Sequence, residues 1–112
     1  MELYRAVSPH ELADIAQRAG FHPGPPSFQG KWFAEIPEHA AAWGRLLYQV
    51  NGVPFHMVAV DVPGRIANQM FRLPFLDQIG PARFADAALL GLINQSVGGT
   101  IYELPVIALG KP

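Results

Sequence analysis

Cysteine is absent from the 112 residues of this chain, which excludes disulfide bonds, thiolate catalysis and cysteine-ligated zinc sites. Charge of one sign is not in excess either, because eight basic residues are scattered among nine acidic ones. Nucleic-acid-binding proteins usually carry a basic stripe, so the charge gives no argument for that class. No apolar run approaches the roughly 20 residues of a membrane-spanning helix. With 50% hydrophobic residues, the sequence predicts one soluble globular domain over residues 1–112.

Several short motifs of catalytic and binding sites are also missing. The sequence has no GxSxG of serine hydrolases and neither the GxGxxG nor the Walker spacing of nucleotide-binding loops. Its four histidines lack the HxxxH or HxH spacing that places two ligands on one metal ion. They are His10, His22, His39 and His56. We therefore expect no metal site.

Hydrophobic spacing predicts a mixture of strands and helices. Residues 8–11 (SPHE) form a capping pattern before apolar residues at helical spacing, so a first helix begins here and ends at Gly20. A second helix begins at Pro37, and residues 86–94 are expected to form a third. Alternating or β-branched stretches predict strands at residues 2–7, 31–35, 54–62 and 100–109.

Proline and glycine mark the irregular segments. Residues 22–30 contain three prolines and two glycines and predict a loop, and turns are expected at residues 51–52 and 98–99. Residues 63–83 give mixed signals, with apolar residues at partial helical spacing. Because the elements show no regular βαβ repeat, the sequence predicts an α+β fold with a mostly antiparallel sheet.

Two tryptophans and two charged residues depart from the patterns around them. Trp32 and Trp43 lie eleven positions apart across a strand-to-helix junction, where they either belong to an ordinary core or hold a flat cationic ring. Arg5 lies between apolar residues on one strand face, and a buried arginine needs an anion. Glu103 interrupts the apolar run IYELPVIAL, either as an inner-strand carboxylate or as an edge residue that faces water.

The segment that contains both tryptophans, GKWFAEIPEHAAAWG (residues 30–44), resembles a segment of the ADP-ribosyltransferase superfamily. This family includes the poly-ADP-ribose polymerases and the diphtheria-toxin-like enzymes. Its aromatic residue before FA and a second aromatic eleven positions later pack against nicotinamide, and Trp32 and Trp43 match that spacing. The stretch LYRAV resembles the family's first-strand motif with Arg5 at the key position, and YELPVIAL resembles its final motif with Glu103.

This resemblance implies a fold of split, mostly antiparallel β-sheets with flanking short helices. It implies that NAD is the substrate, and that the enzyme cleaves the nicotinamide–ribose bond and transfers ADP-ribose to a macromolecular target. The residues that it assigns to catalysis are Arg5 and Glu103. The residues that it assigns to NAD binding are Arg5, Ala6, Trp32, Phe33 and Trp43.

Departures from the family pattern refine these expectations. A hydroxyl residue that bonds the nicotinamide amide in the family is replaced by Ala40, and a glycine is replaced by Ala6, which leaves amide recognition to the backbone of Ala6. No ExE or QxE pair precedes the last strand, which argues against arginine-specific protein modification. The RES-type NAD-degrading toxins also pair an early arginine with a glutamate after an aromatic-rich strand, which would make Glu35 catalytic in place of Glu103.

The resemblance also implies a biological setting. We expect the C-terminal effector domain of a longer secreted bacterial toxin, which acts in the cytoplasm of a target cell and has a cognate immunity protein as a partner. No membrane partner is expected. Two alternatives remain open: an NAD glycohydrolase, in which water accepts the ADP-ribose, and a catalytically silent binding module, in which the tryptophans are core and Arg5 pairs with Glu103.

Overall fold

The computed structural model describes residues 1–24, 29–97 and 100–105. Within these residues the chain forms six strands, four α-helices and one short 3₁₀ turn at Gln49–Asn51. The first half contains β1 (Glu2–Val7), α1 (Pro9–Arg18), β2 (Gly30–Ala34), α2 (Pro37–Leu47) and β3 (His56–Asp61). The second half contains α3 (Gly64–Ala67), β4 (Phe71–Leu76), β5 (Gly80–Asp86), α4 (Ala87–Val97) and β6 (Tyr102–Leu104).

The six strands form one sheet in the order β4-β5-β2-β1-β3-β6, and every neighbouring pair is antiparallel. β1 lies near the centre and pairs with β3 in an unbroken register from Glu2 with Asp61 to Val7 with His56. The predicted α+β class and the antiparallel sheet are confirmed.

Helices cover both faces of this sheet. On one face, α1, α3 and α4 pack over an apolar cluster that includes Ile15, Ile66 and Ile93. On the other face, α2 packs over a smaller cluster that includes Ala40 and Trp43. Because successive residues of a strand point to opposite faces, each central strand contributes apolar side chains to both clusters.

The sheet opens between β1 and β2. The register between these two strands contains one residue pair, Tyr4 with Ala34. In contrast, β1 pairs with β3 over six residue pairs and β2 pairs with β5 over five. Beyond Tyr4 the two strands separate, so Arg5 and Ala6 have no strand partner on β2 in the described register. The opening divides the sheet into two three-stranded halves, β4-β5-β2 and β1-β3-β6.

Residues 63–83, whose sequence signals are mixed, form mostly strand and little helix. One turn of helix, α3, is followed by the hairpin of β4 and β5. In its turn, Asp77 and Gln78 adopt left-handed φ angles of 54° and 62°. Tight hairpins usually place glycine at such positions. Because this turn has none, the sequence does not signal the hairpin. Pro74 lies in β4, at the edge of the sheet, where a strand tolerates the loss of a backbone N–H.

The first helix ends before Gly20 and by a different mechanism. α1 ends at Arg18, and Ala19 takes the left-handed φ of 52° that glycine was expected to supply. Gly20 instead permits a close approach, because a Cβ there would lie 2.6 Å from the side-chain amide of Asn94. Asn94 accepts a hydrogen bond from the N–H of Phe21 at 2.8 Å and donates to its carbonyl at 2.7 Å, which joins the end of α1 to α4.

Some predicted elements differ in length or lie outside the described residues. α4 extends to Val97, past the expected end, and β6 covers only part of the expected final strand. Residues 25–28 of the predicted loop, the predicted turn at 98–99 and residues 106–109 of the predicted strand lie outside the described residues. In the part of the chain that is described, no helix combines the length and the apolar character needed to cross a membrane.

The surroundings of two glycines, Gly91 in α4 and Gly44 in α2, predict opposite effects of substitution by alanine. At Gly91 of α4 a Cβ would meet no atom within 4 Å, so Gly91→Ala is expected to stabilise the protein by about 0.5–1 kcal/mol through helix propensity. At Gly44 of α2 a Cβ would overlap the ring of Phe55, and Gly44→Ala is expected to cost about 1–3 kcal/mol. Urea unfolding measures both; equal stabilisation would contradict the contact between Phe55 and α2.

Candidate functional site

A cavity of about 490 Å³ lies where β1 and β2 separate, beside α2 and the hairpin of β4 and β5. We call it the tryptophan cavity. Its aromatic and charged lining residues are Tyr4, Arg5, Trp32, Trp43, Tyr48 and Asp77, and its other lining residues are aliphatic. The opening of the sheet therefore produces a cavity with aromatic walls and one residue of each charge.

Both tryptophans line this cavity and also belong to the apolar cluster under α2. The ring of Trp32, on β2, packs against Phe84 and Phe71, with ring centroids 5.1 and 6.3 Å away. Trp43, on α2, is 9% exposed, and its Nε1 donates a hydrogen bond to Oδ2 of Asp77 at 3.0 Å. Each indole therefore belongs to the apolar core and also forms part of the cavity wall.

Arg5 lies at the opening and is held by three hydrogen bonds. Its Nε and Nη2 donate to the two carboxylate oxygens of Glu11 on α1, at 2.7 and 3.0 Å. Its Nη1 donates to the backbone carbonyl of Trp32 at 2.9 Å. Glu11 is thus the anion that a largely buried arginine needs. The pairing of Arg5 with Glu103, expected for a silent binding module, is replaced by this pairing with Glu11.

Glu11 is shared with a second cation. Nζ of Lys31 lies 3.2 Å from Oε2 of Glu11, and the Lys31 side chain is 6% exposed. One carboxylate therefore serves two cations, and we call Arg5, Glu11 and Lys31 the Arg5 cluster. Burial raises the pKa of Glu11, but the hydrogen bonds and charges of its two partners outweigh burial and hold that pKa below its ordinary value. Burial, with the charge of Arg5, lowers the pKa of Lys31.

Ala6 borders the opening one residue beyond Arg5 and lines the tryptophan cavity. Its partner on β3 is Met57, whereas the described register gives it none on β2. The backbone edge of β1 at Ala6 therefore borders the cavity. In a continuous sheet this edge would pair with β2.

Glu103 lies apart from the tryptophan cavity, on the edge strand β6. The register aligns Arg5, Val58 and Glu103 in one row across β1, β3 and β6, so two strand spacings separate the two charged residues. Oε2 of Glu103 lies 3.0 Å from Nδ1 of His56, and the Glu103 side chain is 51% exposed. Glu103 lines a second cavity, of about 280 Å³, beside α1.

Glu35, the alternative catalytic residue, is bound by two arginines. Its Oε2 accepts hydrogen bonds from Nε of Arg72 at 2.7 Å and from Nε of Arg83 at 2.8 Å, and Nη2 of Arg72 donates to Oε1 at 3.2 Å. The hydrogen bond from Arg72 is the main cause of a lowered pKa of Glu35, and that from Arg83 adds to it. Arg83 also donates to the carbonyl of Ala67 in α3. Glu35 therefore holds two arginines of the hairpin, and Arg83 in turn joins the hairpin to α3.

Phe33 does not line the tryptophan cavity. It is 1% exposed and packs edge-on against Phe21, with ring centroids 5.1 Å apart, in the cluster under α1, α3 and α4. Adjacent residues of a strand point to opposite faces, so Trp32 and Phe33 cannot both direct their side chains into this cavity.

Three of the aromatic and charged lining residues were not predicted from the sequence: Tyr4, Tyr48 and Asp77. Alternation along β1 could have placed Tyr4 on the face of Ala6. Asp77 lies 34 residues from its partner Trp43, so no local pattern joins them. The hydrogen bond from Tyr4 to Glu2 raises the pKa of the phenol to about 12, and burial raises the pKa of Tyr48. Both tyrosines are therefore neutral phenols near pH 7.

The described residues contain no group of three acidic or histidine side chains placed to hold a metal ion. No protein-family model, curated protein or solved structure gives a significant match to the chain. We therefore infer the function from the geometry of the site. The fold brings Arg5, Ala6, Trp32 and Trp43 to one cavity, whereas Phe33 and Glu103 lie outside it.

The Arg5 cluster predicts a large effect of a nearly isosteric substitution. Glu11→Gln is expected to destabilise the fold by about 3–5 kcal/mol, because two mostly buried cations lose their anion. Asp14→Asn on the same helix is the control, because Asp14 makes an exposed pair with Arg18 at 2.8 Å and its loss is expected to cost about 0.5 kcal/mol or less. Urea unfolding at pH 7 compares the two variants. Equal effects would show that the cluster contributes no more than a surface pair.

The same cluster predicts a dependence of stability on pH. Because the pKa of Glu11 is lower in the folded than in the unfolded chain, its contribution is present above its ordinary pKa and is lost as the pH falls through the lowered value. Wild-type stability is expected to decrease from about pH 5 to about pH 3. Glu11→Gln should show a smaller decrease over that range; an identical decrease would show that Glu11 is not a source of the pH dependence.

Proposed function

We propose that the chain is an NAD-dependent mono-ADP-ribosyltransferase domain of the toxin type, with an ADP-ribosyltransferase-like split fold. The observation that carries this proposal is the tryptophan cavity, which lies at the opening of the sheet and is lined by Arg5, Ala6, Trp32 and Trp43. These are four of the five residues that the resemblance assigns to NAD binding. The two three-stranded halves on either side of the opening support the split arrangement.

The aromatic walls suit the nicotinamide end of NAD. Its ring is a flat cation, and an indole face attracts such a ring by about 2 kcal/mol or more where water is excluded. The cavity volume of about 490 Å³ lies within the roughly 300–1,000 Å³ of typical small-molecule sites. The backbone edge of Ala6, which borders the opening, supplies polar groups for the carboxamide.

The Arg5 cluster suits the anionic part of NAD. Glu11 neutralises one of the two cations, so the cluster carries one excess positive charge. Three of the five N–H groups of Arg5 donate to Glu11 and Trp32, which leaves two for phosphate or ribose oxygens. Lys31 is buried and acts on the diphosphate through its charge.

Cleavage breaks the bond between ribose C1′ and the ring nitrogen, and the electron pair remains on nicotinamide. Positive charge then develops on the ribose, as in glycoside hydrolysis. We assign Glu103 to stabilise this charge and to accept the proton of the acceptor nucleophile, which forms the new bond to C1′. His56, 3.0 Å from its carboxylate, orients Glu103.

The acceptor in this proposal is a macromolecule, either a protein or a nucleic acid. The domain would act as a delivered effector in the cytoplasm of a target cell, with a cognate immunity protein as its partner. Both parts of the proposal rest on the resemblance of residues 30–44 to the toxin-containing superfamily. If water replaces the macromolecule, the same cavity serves an NAD glycohydrolase.

A binding module without catalysis is the second candidate, and one observation favours it. The carboxylate of Glu103 does not line the tryptophan cavity; it lies two strand spacings from Arg5 and beside His56. A module that binds an organic cation needs the aromatic walls and no carboxylate at that position.

Nicotinamide release by the wild type distinguishes the enzyme from the binding module, and Glu103→Gln, which removes the charge and keeps the shape of the side chain, tests the catalytic residue. With nicotinamide release from NAD as the assay, this variant is expected to lower turnover by about 10² to 10³-fold and to leave the NAD affinity nearly unchanged. Glu35→Gln is the matched comparison and should have a much milder effect. Loss of release in Glu35→Gln alone would favour the RES-like alternative, and no release by the wild type would favour the binding module.

The fate of ADP-ribose separates transferase from glycohydrolase. NAD labelled in its adenylate phosphate is incubated with the wild-type chain and a cell extract. We expect the label to appear on a macromolecule, and nuclease or protease treatment then identifies which kind. Label recovered only as free ADP-ribose would replace the transferase by a glycohydrolase.

A further inference from the structure

We propose that the tryptophan cavity selects a positively charged aromatic ring over a neutral ring of the same shape, and that Asp77 is the residue that determines this selectivity. The inference extends the proposed function, and it rests on that function only for the identity of the natural ligand as NAD. The chemical class of ligand is an N-substituted pyridinium. The structure supports it through the position of Asp77, the composition of the walls and the balance of charge around them.

Asp77 contributes the one carboxylate among the described residues that line the tryptophan cavity. It begins the turn between β4 and β5, where its φ of 54° is left-handed, a conformation that aspartate adopts more readily than most residues. The hydrogen bond from the N–H of Ile79 to the carbonyl of Leu76, at 3.0 Å, closes this turn. The fold therefore fixes the backbone that carries the carboxylate at the cavity wall.

The hydrogen bond between Trp43 and Asp77 couples the carboxylate to the ring-binding surface. Nε1 of Trp43 donates to Oδ2 of Asp77 at 3.0 Å. A bond to an ionised acceptor is stronger than a neutral one, and it draws the proton toward the carboxylate and leaves the indole ring richer in electrons. Cation–π attraction depends on the negative face of the ring. Asp77 thus strengthens the attraction of Trp43 for a cation in addition to its own charge.

The charge balance around the cavity makes this carboxylate necessary for a cationic ligand. The Arg5 cluster carries one excess positive charge, and Arg5 lines the cavity, so a cation that enters is repelled from that side. Tyr4, Tyr48 and the two tryptophans add no formal charge. Asp77 lies on the hairpin and offsets the repulsion. A neutral ring experiences neither the repulsion nor its compensation.

This selectivity has a consequence for the proposed reaction. When the bond between C1′ and the ring nitrogen breaks, its electron pair neutralises the ring, so the product nicotinamide has lost the charge that Asp77 attracts. A cavity that prefers the cation binds NAD through its ring and retains the neutral product weakly. Asp77 then favours substrate binding and product release through its charge.

The test compares two probes that differ mainly in charge, nicotinamide and 1-methylnicotinamide. The second is a pyridinium cation because its methyl group is on the ring nitrogen, and it is called N-methylnicotinamide below. Calorimetric titration of the wild-type chain is expected to show at least about tenfold tighter binding of N-methylnicotinamide. Asp77→Asn is expected to weaken binding of the cationic probe by about tenfold and to change the nicotinamide affinity by less than about twofold. The asparagine keeps an oxygen for Trp43 and tolerates the left-handed turn, so the variant should melt close to the wild type.

Asp86→Asn is the matched control. Asp86 accepts a hydrogen bond from the N–H of Leu89 at 2.9 Å at the start of α4 and does not line the tryptophan cavity. Asparagine caps a helix about as well as aspartate, so both probe affinities should stay at the wild-type values. Salt provides a measurement that needs no variant: added salt should weaken the cationic probe and leave nicotinamide unchanged.

Four results would overturn the inference: equal affinity of the wild type for both probes, no binding of either probe, an equal loss of both affinities in Asp77→Asn, or a cation affinity independent of salt. The proposed function is judged separately by nicotinamide release from NAD. Selective binding of N-methylnicotinamide without NAD cleavage would support the inference and reject the enzyme. Cleavage of NAD with equal probe affinities would support the enzyme and reject the inference.

Discussion

The opening of the sheet depends on the hydrogen bonds of the Arg5 guanidinium. This group joins α1, through Glu11, to β2, through the carbonyl of Trp32, while the backbone of Arg5 belongs to β1. A buried carbonyl without a partner is costly, and β1 does not continue its pairing with β2 past Tyr4. The side chain of Arg5 supplies the missing donor. The two strands can therefore separate without leaving that carbonyl of Trp32 unsatisfied, and the tryptophan cavity occupies the separation.

A helix cap explains how Glu11 comes to serve Arg5. The sequence predicts a capping box at residues 8–11, and the structure contains half of it, since the N–H of Glu11 donates to Oγ of Ser8 at 3.1 Å. The carboxylate of Glu11 turns instead toward Arg5 and Lys31, where it makes stronger, charge-assisted contacts. The cap thus fixes the start of α1 and, with it, the position of the anion that holds Arg5 in place.

Local sequence patterns predicted the helices and strands that have clear caps or periodic apolar residues. They could not predict contacts that depend on tertiary packing. Pro37 and the apolar spacing around Trp43 located α2, but the hairpin of β4 and β5 was missed because Asp77 and Gln78 turn the chain without glycine. For the site, the family resemblance implied that Trp32 and Trp43 face one binding site, and both line the tryptophan cavity. The partners of Arg5 and Trp43 could not be predicted, because Glu11 and Asp77 reach them through tertiary packing.

The charges around the tryptophan cavity are separated in space, and this separation gives the cavity a direction. The excess positive charge lies at β1 and β2, in Arg5 and Lys31, whereas the negative charge of Asp77 lies at the hairpin. NAD has the matching asymmetry, with a cationic ring at one end and an anionic diphosphate beyond the ribose. For NAD, which we propose as the ligand, Coulomb attraction at both ends favours one orientation, with the ring toward Asp77 and the diphosphate toward Arg5. The reverse orientation would place like charges together at both ends.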